Sequence, residues 1–133
     1  MNQNEIVFLS LDDVLIIHSN QIELYGGLIE IRDLGLLESA INQPFASFDG
    51  IHFHESIFDK AAAYLFHICK NHPFVDGNKR VALATSLVFL DLNGFEVSDP
   101  NEILYDLVIG IAEGNMKIEE ISETLKLLAR FSL

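Results

Sequence analysis

A polar loop over residues 72–80 separates two apolar segments of helical period, and this arrangement constrains the fold more than any other feature of the chain. Pro73 disfavours helical backbone at the residue before it, so the preceding helix should end there. Gly77 permits a tight or left-handed turn, and Asn78 is a good residue to cap a helix over residues 81–93. That segment is apolar on nearly every side, as is typical of a helix buried at the centre of a domain. We therefore expect the loop to open a buried central helix.

Local signals predict helices over most of the remaining chain. Capping and stopping residues bracket segments whose apolar positions recur every three to four residues, the period of an amphipathic helix. Four of these segments are residues 10–25, 33–42, 99–114 and 118–131. The remaining one starts at His54 or Ser56 and runs to about Asn71. The sequence therefore predicts a single all-α domain over residues 1–133. It would be a compact bundle of about six helices around the buried central helix, with a short flap or hairpin near residues 45–54.

Two predicted boundaries depend on specific residues. Asp99-Pro100 is a helix start signal, an N-cap followed by proline at the first helical position. At the end of the chain, Phe131 continues the apolar spacing that begins at Ile118, so the last helix is predicted to reach it. Residues 95–98 between these helices are predicted to be a connector.

Charge and cysteine content exclude several classes of protein. The net charge of −12 argues against non-specific binding to nucleic acid, which depends on neutralising phosphates. No apolar run approaches the ~18 residues of a membrane span, and the N-terminal residues lack the cationic region of a signal peptide. The single cysteine, Cys69, excludes an internal disulfide. A cytoplasmic protein with no membrane partner is expected.

The apolar content is high for a chain of 133 residues, at 50% hydrophobic and a mean hydropathy of +0.29. One interpretation is a surface that a partner covers, such as a segment of another protein or a second protomer in a homo-oligomer. The other is a dense helical core, and composition does not distinguish the two.

The chemistry of the loop indicates transfer of a phosphate-containing group. Free N–H groups and the dipole make a helix N-terminus an anion site, and Lys79 and Arg80 add two cations there. Asp76 offers a carboxylate suited to Mg²⁺, which usually takes one or two carboxylates and substrate phosphates. His72 offers an imidazole, the side chain that most often acts as a general base. This combination favours phosphoryl or nucleotidyl transfer.

Residues 72–80 resemble the signature of the Fic/Doc family, which has the form H-P-F-x-D/E-G-N-x-R. Lysine in the variable position, here Lys79, is typical of the Doc, or death-on-curing, branch. The segments Tyr25-Gly26-Gly27 and 31–40 also resemble the upstream part of Doc-like toxins. The resemblance covers roughly residues 8–130, and so many fixed residue types at fixed spacing make the motif specific.

The resemblance implies a role for each motif residue. His72 would deprotonate the target hydroxyl, and Asp76 would hold Mg²⁺. Gly77 and Asn78 would form the anion cradle. Arg80 would bind the nucleotide phosphates, to which a guanidinium can make bidentate contacts.

Lys79 is the residue that separates two reactions within the family. Adenylyl-transferring Fic enzymes typically have glycine there, whereas in Doc-like proteins the lysine accompanies an inverted nucleotide and transfer of the γ-phosphoryl group. The resemblance thus implies a toxin that uses ATP and Mg²⁺ to phosphorylate a protein such as elongation factor Tu. A Phd-like antitoxin would inhibit it in trans. The alternatives are a protein adenylyltransferase using the same residues and a catalytically silent binding module of the same fold.

Several polar residues outside the motif are interpreted as structural. His18 lies at an inner position of the first helix, and Cys69 lies in an apolar helical pattern; packing is the expected role of both. The sequence His52-x-His54-Glu55 resembles part of a metal site, but a third and fourth ligand are lacking nearby.

Overall fold

The computed structural model describes residues 5–48, 51–52, 54 and 56–132. Six α-helices dominate this part of the chain, in agreement with the predicted all-α fold. The helices are α1 Leu11–Tyr25, α2 Leu34–Asn42, α3 Ile57–Asn71, α4 Asn78–Leu92, α5 Ile103–Ala112 and α6 Ile118–Leu128. A 3₁₀ turn, Gln43–Phe45, follows α2, and the short strands are β1 Ser47–Phe48, β2 Ile51–His52, β3 Phe95–Val97 and β4 Ala129–Phe131.

Side chains at the helix starts explain where the first three helices begin. Ser10 and Asp13 form a capping box at α1, in which each side chain accepts from the main chain of the other residue. Ser56 and Asp59 form the same arrangement at α3. The carboxylate of Asp33 caps α2 by accepting from its first turn. These predicted starts are therefore confirmed.

Helices α3 and α4 pack against each other at the centre of the domain, and α3 also contacts α2, α5 and α6. Residues 61–65 of α3 are fully buried, and the alanines at 61–63 let neighbouring helices approach closely. Ser86 of α4 donates to the carbonyl of Ala61 at 2.9 Å, which satisfies a buried hydroxyl between the two helices.

The N-terminal arm is tied to this core by Tyr64. The Leu9 N–H donates to the Tyr64 hydroxyl at 2.9 Å, and the hydroxyl lies 3.3 Å from the Leu9 carbonyl oxygen. Burial raises the pKa of Tyr64 to about 12, so its hydroxyl stays protonated.

The predicted start of the fifth helix is wrong by three residues. Pro100 lies in a turn, and α5 begins at Ile103 after Glu102, whose φ is +56°. Asp99 still caps the helix, but from a distance: its carboxylate accepts from the N–H groups of Ile103 and Leu104 at 2.7 and 2.9 Å. A carboxylate that reaches over a turn gives the same sequence signal as an adjacent cap.

The end of the predicted last helix and the predicted connector at 95–98 are also corrected. Helix α6 ends at Leu128, and β4 pairs antiparallel with β3, with Phe95 opposite Phe131. The rings of these two residues lie 4.9 Å apart. Helical periodicity did not reveal this pairing because the two strands are more than thirty residues apart.

The predicted hairpin is confirmed where it is described: β1 pairs antiparallel with β2. Residues 49, 50, 53 and 55 lie outside the described residues, so Glu55 of the metal-like pattern does too. Among the residues that are described, no three His, Cys, Asp or Glu lie close enough together to hold a metal ion by themselves. None of the helices in the described ranges combines the length and apolar character that a membrane span requires.

His67 on α3 gives the fold an expected sensitivity to acid. Burial lowers its pKa from 6.5 to about 4, with a smaller effect from His54. The neutral form is favoured in the folded chain, so the stability that His67 contributes is complete above pH 6.5 and is lost as the pH falls toward 4. Partial exposure reduces the effect to about 1–2 kcal/mol. Urea unfolding at pH 7 and pH 4.5 should show a smaller loss for His67→Gln than for the wild type; equal losses would contradict this.

Candidate active site

The motif loop (residues 72–77) connects α3 to α4. His72 ends α3 with a left-handed backbone, φ +50° and ψ +54°, and is exposed to solvent. Pro73 and Phe74 are buried beneath it. The predicted stop before Pro73 is therefore confirmed, and Phe74 anchors the loop in the core as a fully buried ring.

A second segment, the connector between α1 and α2 (residues 26–33), lies alongside the motif loop like a paired strand. The N–H groups of Arg32 and Asp33 donate to the Pro73 carbonyl at 2.7 and 3.0 Å. The Val75 N–H donates to the Glu30 carbonyl at 3.1 Å. The loop is thus held by main-chain hydrogen bonds from a part of the chain some forty residues earlier.

The side chain of Arg32 strengthens this attachment at the end of α3. Its Nε donates to the His72 carbonyl at 2.7 Å, and its Nη2 donates to the Asn71 carbonyl at 2.9 Å. The last carbonyls of a helix carry partial negative charge and lack partners within the helix. The guanidinium satisfies two of them and fixes the main chain of His72.

Asn78 does not cap α4 as the sequence predicted. The N-cap is Gly77, with φ +81°, and Asn78 is the first residue of the helix. The Asn78 side chain points back into the loop, where its Oδ1 accepts from the Phe74 N–H and its Nδ2 donates to the Phe74 carbonyl, both at 2.9 Å. A side-chain amide that closes the loop on itself is unavailable to a ligand, so only the Asn78 main chain remains for an anion.

Asp76 is held in place by groups from outside the loop. The Leu28 N–H donates to its Oδ2 at 2.8 Å, and the His18 Nε2 lies 2.8 Å from its carbonyl oxygen. A Cβ at Gly27 would lie 3.1 Å from the Asp76 Cβ, so a side chain there would crowd the carboxylate. The Asp76 side chain therefore has a defined direction.

The cation Arg80 lies over an aromatic ring. Its Cζ is 4.6 Å from the ring centroid of Tyr25, a residue of the Tyr-Gly-Gly segment that ends α1. This cation–π contact orients the guanidinium without using its N–H donors. Both side chains are exposed, so the donors remain accessible.

The motif loop, α4 and α5 line one cleft with a volume of about 480 Å³. One wall is polar and consists of motif residues: His72, Asp76, Gly77, Asn78, Lys79 and Arg80. The other wall is largely apolar and includes Leu83 of α4 together with Tyr105, Val108 and Ile109 of α5. The structure therefore brings every predicted site residue to one cleft. Sequence reasoning missed the α5 wall, because residues on a distant amphipathic helix carry no local sign of a ligand.

Sequence reasoning also missed the supporting roles of His18 and Arg32. His18 was predicted to be buried, and it is 1% exposed. The only available sign of its contact with the loop was a polar residue on the inner face of an apolar helix. Cys69 is buried as predicted, and burial raises the pKa of its thiol, as expected for a packing residue.

Comparisons with known proteins show which family the chain is part of. Residues 8–90 match the model of the Fic/DOC family, more than half of the chain. The chain belongs to the Fic/Doc family. It is 34% identical over 120 residues to a protein named Toxin Doc from Mycolicibacterium smegmatis, covering 89% of this chain and 90% of the relative. It is also 34% identical over 122 residues to Protein kinase doc of Escherichia phage P1, covering 90% and 94%. The resemblance to the Doc branch of the Fic/Doc family is thereby confirmed.

Proposed function

We propose that this chain is a Doc-like toxin that transfers the γ-phosphoryl group of ATP to a hydroxyl group of a protein target, with elongation factor Tu as the first candidate. The observation that carries the proposal is that His72, Asp76, Lys79 and Arg80 line the same cleft at the N-terminus of α4. The names of the two Doc relatives, a toxin and a protein kinase, support it.

The two-sided cleft suits a nucleotide better than a simple anion. Its polar wall offers the first N–H groups of α4 and two cations, which favour phosphates. Its apolar wall offers Val108, Ile109 and the ring of Tyr105, which favour a nucleobase. A volume of about 480 Å³ falls within the range of small-molecule sites.

His72 is the proposed general base. Its exposed imidazole would take the proton of the target hydroxyl as that oxygen attacks the γ-phosphorus of ATP and the bond to the β–γ bridging oxygen breaks. The products are a phosphorylated target and ADP. Such a reaction requires alignment and neutralisation of charge more than covalent work by the protein.

Asp76 is the proposed magnesium ligand. Its Oδ1 has no hydrogen-bond partner among the residues described, while Leu28 occupies its Oδ2, so one carboxylate oxygen is available to a cation. A site with a single carboxylate fits Mg²⁺ when the nucleotide phosphates supply further oxygens. When bound, Mg²⁺ would neutralise negative charge on those phosphates.

Lys79 and Arg80 are the proposed phosphate-binding cations. Both are exposed residues in the first turn of α4, where positive charge is unfavourable for the helix itself. An anionic ligand would relieve that repulsion. The lysine, in place of the glycine of adenylyl-transferring relatives, is the reason to favour γ-phosphoryl transfer.

We also propose that an antitoxin neutralises the protein in trans. Large apolar side chains are exposed beside the cleft, at the end of α1 and along the connector: Leu24, Tyr25, Leu28 and Ile29 are 53–70% exposed. An apolar segment of the antitoxin would cover them. A purified chain that remains monomeric and binds no apolar dye would count against such a surface.

A label-transfer experiment tests the proposed reaction. The pure protein is incubated with Mg²⁺, elongation factor Tu and ATP labelled at either the α- or the γ-phosphate, with His72→Asn as the control. We expect His72-dependent γ-label on the factor. His72-dependent α-label would instead identify an adenylyltransferase and refute the role given to Lys79. Absence of both labels, together with no ATP binding and normal growth of cells that express the protein, would favour a silent binding module.

A further inference from the structure

His18 lies beneath the motif loop and has no role in the chemistry proposed above. Its Nε2 lies 2.8 Å from the carbonyl oxygen of Asp76. Because a carbonyl oxygen can only accept, Nε2 carries the proton and donates. The His18 ring also stacks on the Phe74 ring, with centroids 3.7 Å apart and planes within 6°. One side chain of α1 therefore contacts the loop on both sides of Val75.

The hydrogen bond from His18 completes a two-point attachment of Asp76. His18 holds its main chain, and the Leu28 N–H holds its carboxylate Oδ2 at 2.8 Å. The main-chain bond fixes where the side chain starts, and the second bond fixes its direction. Together they leave Oδ1 as the oxygen without a partner in the described part of the chain.

His18 also lies under the residue that opens α4. A Cβ placed on Gly77 would be 3.6 Å from the His18 Nε2 and 3.3 Å from the Ile22 Cδ1. The imidazole and Ile22 thus form the floor of the turn that leads from Asp76 into α4. The same imidazole contacts the turn and anchors the carboxylate-bearing residue, so the two features are positioned together.

From these contacts we infer that His18 is a positioning residue, which anchors the Asp76 main chain so that the carboxylate is presented to the cleft. Its effect on catalysis rests on the proposed function, but the anchoring can be measured without catalysis. A histidine that only filled space could be replaced by phenylalanine without consequence, because both rings would stack on Phe74.

Three variants separate the two possibilities. His18→Phe keeps an aromatic ring and removes the donor. His18→Gln removes the ring and keeps an amide N–H donor at a similar reach. Ile22→Val is the matched control, since it alters packing at the same turn on the same helix and removes no hydrogen bond.

Three readouts are needed for each variant. The first is the Mg²⁺ dependence and kcat of label transfer, and the second is calorimetric titration of Mg²⁺ in the presence of a non-hydrolysable ATP analogue. The third is the exchange rate of the Leu28 amide proton, measured by NMR.

Loss of a group that orients a metal ligand typically weakens metal binding by about 10–100-fold. We expect His18→Phe to remain folded, to weaken Mg²⁺ binding by about tenfold, to lower kcat and to speed Leu28 exchange. His18→Gln should lie within about threefold of the wild type, and Ile22→Val should match it.

The outcomes distinguish this inference from the proposed function. Wild-type values for His18→Phe in all three readouts would overturn the positioning role, and so would equal impairment of His18→Phe and His18→Gln. If the wild type neither binds Mg²⁺ with the analogue nor transfers label, the proposed function fails. In that case Leu28 exchange alone decides whether His18 anchors Asp76: faster exchange in His18→Phe, restored in His18→Gln, supports the anchor, and unchanged exchange refutes it.

Discussion

Replacing His72 with asparagine is expected to reduce transfer of the γ-label by about 100- to 10,000-fold, the usual contribution of a general base. The side chain is exposed, and asparagine tolerates the left-handed backbone that His72 adopts at φ +50°. The free energy of unfolding should therefore change by less than about 0.5 kcal/mol. Initial rates of label transfer and urea unfolding of the same preparations measure the two effects.

The variant His72→Ala separates activity from stability less well than His72→Asn and serves as the comparison. Histidine and asparagine are enriched in the left-handed region relative to alanine, so His72→Ala should lose slightly more stability than His72→Asn as well as losing activity. Full activity of His72→Asn would contradict the role of general base. Loss of activity together with a large loss of stability in His72→Asn would show that the residue acts on the loop rather than on the reaction.

Replacing Asn78 with aspartate is expected to cost about 3 kcal/mol of stability at pH 7. The side chain is 5% exposed, and its Nδ2 donates to the Phe74 carbonyl. An ionised carboxylate of the same shape can accept from the Phe74 N–H but cannot donate, so it would leave a buried charge facing a carbonyl oxygen. Urea unfolding of the variant and the wild type measures the difference.

The matched control for this change is Asn93→Asp. Asn93 donates from its Nδ2 to the carbonyls of Val7 and Phe89, but it is partly exposed. Water can replace the lost donor there, so the cost should stay below about 1 kcal/mol. Equal costs at the two positions would show that the burial of Asn78 does not determine the effect.

The cost of Asn78→Asp should also depend on pH. Only the protonated carboxyl can donate to the Phe74 carbonyl, so folding raises the pKa of the introduced group above its unfolded value of about 3.9. The penalty is therefore smallest below pH 4 and grows as the pH rises. A penalty that is the same at pH 4 and pH 7 would contradict the proposed contact.

The parts of the fold that sequence predicted well are those with local causes. Ser10, Asp33 and Ser56 cap the helices that follow them, and Pro73 ends α3, because each acts on main-chain groups a few residues away. The nine-residue motif identified the polar wall of the cleft for the same reason: its residues are neighbours in the chain.

The parts that sequence did not predict have distant causes. The β3–β4 pairing and the apolar wall on α5 join segments that only the tertiary fold brings together. Asn78 is an instructive case between the two. Asparagine is a residue type that often caps helices, yet the N-cap of α4 is Gly77, with φ +81°. The Asn78 side-chain amide is therefore free to hydrogen-bond with the main chain of Phe74.

The attachment of the motif loop to α1 and the connector has a consequence for the folding of the chain. The partners that hold Asn71, His72 and Asp76 lie 39 to 58 residues earlier in the chain. Contacts over such separations require long loops to close, which is slow compared with helix formation. Helices α3 and α4 can therefore form before the Asp76 carboxylate and the His72 main chain are held in place. Under the proposed function, a partly folded copy would lack activity, and the toxic effect would begin only once these long-range contacts have formed.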